Sequence, residues 1–168
     1  NRSFELSDRI YLNDGKGNFS RDPQEDLKNY TISGITVVAI DYDNDGDEDI
    51  IVGNRIQTKK YPIHEPSIIY ENISGKFYNN TYNIAPDFEN FGIVNKIIST
   101  DFNNDGWDDF IAVGEWTNIG LFLNEEGTFR NINKENNLDN LFGLWFNILE
   151  TDINNDGLKD YLIGNIGQ

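Results

Sequence analysis

The chain has 168 residues, no cysteine and no methionine, 38% hydrophobic residues and a formal net charge of −16. Without cysteine it carries no disulfide framework. So acidic a chain disfavours nucleic acid and anionic membrane as partners, and no apolar run reaches the ~18 residues needed to insert across a bilayer. At this length a real core can form. The first residue, Asn1, follows neither an initiating Met nor a signal peptide, so the sequence is expected to be a piece of a longer protein.

In chain order, Ile10-Tyr11-Leu12-Asn13 reads as a strand that turns through Asp14-Gly15-Lys16-Gly17-Asn18 to Phe19, a hairpin. Ile35–Ile40 is almost continuously apolar, as in a strand covered on both faces. It runs into the acidic loop DYDNDGDED (Asp41–Asp49), which leads to a second apolar strand over Asp49–Gly53. Residues 55–66 form an insertion with His64 between Pro62 and Pro66, where a lone histidine is expected to be a surface residue. A second hairpin follows, Ile69-Tyr70-Glu71-Asn72 through Gly75-Lys76 to Phe77. Then come a strand over Lys96–Thr100, the loop DFNNDGWDD (Asp101–Asp109), a strand over Asp109–Gly114, and the hairpin Leu121-Phe122-Leu123-Asn124 through Gly127-Thr128 to Phe129. The series closes with a strand over Phe146–Thr151, the loop DINNDGLKD (Asp152–Asp160) and a strand over Asp160–Gly164. Trp107, Trp116 and Trp145 sit beside these loops and strands. Packing between sheets is their expected role, and contact with a sugar or peptide the less common one.

The three acidic loops share one design. Each has Asp at positions 1, 5 and 9, Asp or Asn at position 3 and Gly at position 6. A hard cation such as Ca²⁺ takes about six to eight oxygen ligands, so a short loop must aim several carboxylates, an amide oxygen and a main-chain carbonyl at one point. Gly46, Gly106 and Gly157 supply the backbone freedom such a turn needs. An EF-hand would need a Glu at position 12 and flanking helices; Val52, Ala112 and Ile163 stand there instead, inside predicted strands. The plain alternative is that Asp-Gly turns are good hairpin connectors, but three matching nine-residue loops favour a metal. Position 9 is then the expected closing carboxylate. Acidic loops recur at intervals of 60 and 51 residues, hairpin phenylalanines at 58 and 52. A period of about 50–60 residues with four strands marks β-propeller blades.

The order of apolar strand, DxDxDGxxD loop, apolar strand, apolar-x-Asn, turn and Gly-x-Phe resembles the FG-GAP or VCBS-type repeat of integrin α-chain propellers and bacterial surface proteins. Phe91-Gly92 and Phe142-Gly143 supply its Phe-Gly half, with Ser33-Gly34 in the first repeat. The Gly-Ala-Pro half is absent; Gly53-Asn54, Gly114-Glu115 and Gly164-Asn165 stand in its place, closer to the bacterial variant. The resemblance implies an all-β fold, a propeller segment of four-stranded blades. Two blades are complete (residues 35–81 and 95–132), flanked by an outer hairpin (1–22) and an inner hairpin (145–168), within a propeller of six to eight blades.

It further implies about three Ca²⁺ sites. Their ligands are the side chains of Asp41, Asp43, Asp45 and Asp49 with the Asp47 carbonyl; Asp101, Asn103, Asp105 and Asp109 with the Trp107 carbonyl; and Asp152, Asn154, Asp156 and Asp160 with the Leu158 carbonyl. By charge count the first loop should bind tightest. Three divalent ions would leave a net charge of about −10, still acidic. No catalytic constellation is visible, since every close carboxylate cluster belongs to a loop and the single His lies in an insertion. The expected function is an extracellular or cell-envelope scaffold for recognition or adhesion, binding a protein or glycan, with the remaining blades of its propeller as intramolecular partners. The alternatives are a module of a carbohydrate-active enzyme such as a polysaccharide lyase, or a structural spacer.

Overall fold

Short runs of isoleucine, valine and aromatic residues broken by polar Gly turns can bury their side chains only as paired strands. The computed structural model, which describes residues 7–23, 27 and 32–167, is built from twelve of them. Strands β1 (Tyr11–Asn13) and β2 (Phe19–Arg21) form a hairpin. The first complete sheet is an antiparallel meander of β3 (Gly34–Ile40), β4 (Asp49–Asn54), β5 (Ile68–Ile73) and β6 (Lys76–Asn79). The pattern repeats in β7 (Ile93–Thr100), β8 (Asp109–Thr117), β9 (Gly120–Asn124) and β10 (Phe129–Asn131), and β11 (Gly143–Thr151) pairs with β12 (Asp160–Asn165).

Successive side chains of a strand point to opposite faces, and the two meanders use this to stack. Ile51 of β4 and Phe110 and Ala112 of β8 meet in one core, with Ile40, Ile69, Ile97 and Phe122. The opposite face of the first sheet buries Val52, Ile68 and Tyr70 with Leu27 and Ile32, and that of the second buries Ile111 and Val113 with Ile148 of β11. Two single-turn helices, α1 (Thr81–Ile84) and α2 (Pro86–Glu89), were not foreseen in the sequence. They drive Phe88 between the sheets, where its ring meets Phe110 edge-on at 4.9 Å and Phe122 at 5.4 Å. Phe110 and Phe122 stack at 4.4 Å.

Each first strand carries a bulge opposite a glycine. The register shifts between Gly34 and Thr36, between Val94 and Lys96, and between Trp145 and Asn147, facing Gly53, Gly114 and Gly164. At Gly114 a Cβ would fall 1.7 Å from the Ile93 carbonyl oxygen, so the bulged backbone leaves no room for any side chain. The Phe-Gly pairs act in the same seam. Gly92 has φ +133° and lies where a Cβ would strike Thr117, while the Phe91 ring sits 5.5 Å from Phe122.

The second blade and the following hairpin are joined by strand pairing: the end of β8 pairs with Gly143 and Leu144 of β11, giving a six-stranded sheet. The bulge lets the start of β11 leave its register with β12, and β9 covers β8 only at Phe110–Ala112, so β8 has a free side to offer. The apolar strand β3 was expected to be covered on both faces; Ile35 and Val37 are 50% and 62% exposed. A blade's strands are buried twice only where sheets stack on both sides, as they do around β8.

Candidate metal-binding loops

All three acidic loops fold alike. The position-1 carboxylate accepts two main-chain N–H groups across the turn: Asp45 N and Gly46 N on Asp41 (both 3.1 Å), Asp105 N and Gly106 N on Asp101 (3.1 and 3.0 Å), Asp156 N and Gly157 N on Asp152 (3.2 and 2.9 Å). Position 3 accepts from the same position-5 amide, through Asp43, Asn103 and Asn154. Position 5 accepts the position-7 amide, that of Asp47, Trp107 or Leu158, at 2.8–2.9 Å. Each bond leaves lone pairs on the oxygens. The curl needs positive φ at Gly46, Gly106 and Gly157, and also at position 4, where Asn44, Asn104 and Asn155 lie at φ 57–60°. Asparagine tolerates that conformation better than other residues with a side chain. Asparagine at position 4 of all three loops is the sequence signal for that conformation.

Position 9 closes each loop onto its blade. Asp49 Oδ2 accepts Tyr42 N at 3.2 Å, Asp109 Oδ2 accepts Phe102 N at 3.0 Å and Asp160 Oδ2 accepts Ile153 N at 2.8 Å. The other oxygen reaches the outer hairpin, since Asn72 N donates to Asp49 Oδ1 at 2.7 Å and Asn124 N to Asp109 Oδ1 at 2.8 Å. The same asparagines donate their side-chain amides to the position-8 carbonyls of Glu48 and Asp108, and accept the turn amides of Gly75 and Gly127. Acidic loop and hairpin, two motifs in the sequence, are one hydrogen-bonded unit. Asn124 also donates to the Tyr42 carbonyl at 2.8 Å, tying the first loop to the second blade.

Carboxylates crowd most in the first loop, where Asp41, Asp43 and Asp49 each place an oxygen within 4.8 Å of the others. The second and third loops have Asn at position 3 instead of a third such carboxylate. Burial pushes the Asp49 carboxyl up to about 6, against the two amides that donate to it and reinforced by Asp43 and Asp45. Asp109 is likewise pushed up to about 6 by burial, with Asp105 and Asp101 adding to it. A carboxylate set this costly to ionise, with only oxygen donors converging, suits a hard divalent cation.

The sign of the pH effect follows. Between about pH 4 and pH 6 the ion-free fold holds protons on Asp49 and Asp109 that the unfolded chain has released, so its stability falls as pH rises through that window. The ion-free protein should melt several degrees higher at pH 5 than at pH 7. An Asp49→Asn, Asp109→Asn double variant should lose most of that difference, which melting curves at the two pH values will read. An unchanged difference would refute this source for it.

A stack of antiparallel four-stranded meanders, the second joined to a further hairpin, with an acidic loop between the first two strands of each repeat, defines a β-propeller segment made of repeats. The family model of the FG-GAP-like repeat matches residues 3–52 and 101–163, and the chain belongs to that family. No curated protein matches the chain as a relative.

Proposed function

We propose that this propeller module binds Ca²⁺ at its three acidic loops and serves as an extracellular or cell-envelope scaffold that recognises a protein or glycan. The observation that supports the metal reading is the loop-and-clamp unit, in which main-chain amides fix the directions of the acidic side chains and, in the first loop, Asp41, Asp43 and Asp49 each place an oxygen within 4.8 Å of the others. Asp41, Asp43, Asp45 and Asp49 would hold the first ion with the Asp47 carbonyl. Asp101, Asn103, Asp105 and Asp109 would hold the second with that of Trp107, and Asp152, Asn154, Asp156 and Asp160 the third with that of Leu158. A bound ion supplies positive charge that offsets the crowded carboxylates. The chain's own residues do the rest: Asp49 and Asp109 carry the rigidity of the loop through Asn72 and Asn124 into the outer hairpin. Extracellular calcium modules work at about 10⁻⁴–10⁻³ M affinity, so an extracellular setting would keep even weak sites filled.

Calorimetric titration of chelated protein should find about three Ca²⁺ sites, the first loop the tightest because it has the most carboxylates. Heat equal to the dilution blank across the millimolar range would overturn the metal reading.

A further inference from the structure

On the opposite ends of the strands from the acidic loops, a cavity of about 380 Å³ opens at the seam between the two complete blades. Tyr61, Pro62 and His64 from the β4–β5 insertion form one wall, and Ile93, Glu115 and Trp116 of the second blade form the other. We propose that this cavity binds an uncharged sugar ring, which deepens the recognition reading above and rests on it.

Four observations converge on that ligand. First, Trp116 is 62% exposed and Tyr61 53%, yet their polar edges are already used: Trp116 Nε1 donates to Tyr61 Oη at 2.6 Å and Tyr61 Oη donates to Glu115 Oε2 at 3.2 Å. The rings are held in place and what remains for a ligand is largely their apolar surface, suited to the C–H face of a pyranose. Second, Trp116 sits at φ +58° as the extra residue of a bulge, between the pairs Thr117–Gly143 and Glu115–Leu144 where the end of β8 meets β11. A bulge re-aims the side chain it carries, and here it sets a large, exposed aromatic ring in the cavity wall. The other two tryptophans differ, Trp145 packing into the core beside β8 and Trp107 lying half-buried at its acidic loop.

Third, charge selects a neutral guest. Glu115 is buried and its Oε1 accepts both Nη2 and Nε of Arg55, at 2.8 and 3.3 Å, so the carboxylate offers a cation little that the guanidinium does not already take. An anion would face the field of a chain with net charge −16. Fourth, the volume lies within the range of about 300–1,000 Å³ typical of small-ligand pockets, compact for a peptide groove and ample for one or two sugar rings. At its edge His64 places Nδ1 3.3 Å from the Glu65 carbonyl. A proton on Nδ1 leaves Nε2 to accept a bond from a sugar hydroxyl.

The test is titration of the calcium-loaded chain with cellobiose, chitobiose and mannobiose, followed by tryptophan fluorescence and calorimetry, with galacturonic acid dimer and a proline-rich peptide as comparisons. At least one neutral disaccharide should bind, and Trp116→Gly should weaken it tenfold or more while leaving the melting temperature equal or higher, because glycine relieves the strained φ. Tyr61→Phe, which cuts the Trp116–Tyr61–Glu115 chain, should weaken it several-fold. Absence of binding by all three neutral disaccharides at up to about 10 mM, binding untouched by Trp116→Gly, or a Trp116-dependent preference for the peptide or the acidic dimer would each overturn the proposal. Calcium titration of Trp116→Gly separates the two readings: three sites retained with sugar binding lost supports both, and sugar binding in a chain that takes no calcium would sink the metal reading alone.

Discussion

Asp45→Ala and Asp105→Ala should each lower the thermal midpoint by about 5–10 °C in saturating calcium and by no more than about 2 °C in excess chelator. A ligand at 100 times its dissociation constant adds about 2.7 kcal/mol to the folded state, and in a chain of this size 1 kcal/mol moves the midpoint by about 2–4 °C. Both residues are exposed, and apart from the proposed ion each side chain chiefly holds a main-chain amide, Asp47 N at 2.8 Å or Trp107 N at 2.9 Å. Exposed bonds of that kind contribute little. Melting curves of each variant in both media decide the matter. Equal losses with and without calcium would mean that the carboxylates serve only the turn.

Asn124→Ala should be worse, and in both media. Asn124 is 2% exposed, and its side chain bonds the Tyr42 and Asp108 carbonyls and the Gly127 amide. Removing it leaves three main-chain groups without partners at about 1 kcal/mol each, a fall of roughly 5–12 °C. Asn72→Ala should cost about half as much. Asn72 is half-buried, and among the described residues its side chain bonds the Glu48 carbonyl and the Gly75 amide, both within its own blade. A smaller loss at Asn124 than at Asn72 would show that the Asn124–Tyr42 bond contributes nothing to holding the blades together.

Where the chain repeats itself, local chemistry was enough to read it. Asp at positions 1, 5 and 9 with Gly at 6 defined each loop, and all three loops adopt one conformation. The predicted strand over Asp49–Gly53 runs Asp49–Asn54, and that over Phe146–Thr151 begins at Gly143. What stayed illegible depended on neighbours. The short helices at 81–89 have no periodicity of their own; Pro86 and the burial of Phe88 between sheets set them in place. Strand β8 continues past Gly114 to Thr117 because β11 pairs with its end. The asparagines of the hairpins looked like turn residues, and only the approach of hairpin to loop revealed their grip on Asp49 and Asp109.

The sequence alone determined the all-β architecture, the repeat and the oxygen-rich loops, because alternation, turn residues and spacing act over a few neighbouring positions. Tertiary structure alone decided which glycines face bulges, which phenylalanines fill the seam, and that Tyr61 and Trp116, 55 residues apart, share one cavity. Those outcomes depend on how two sheets stack, and stacking is set by the summed shape of both faces, which no local stretch of chain encodes.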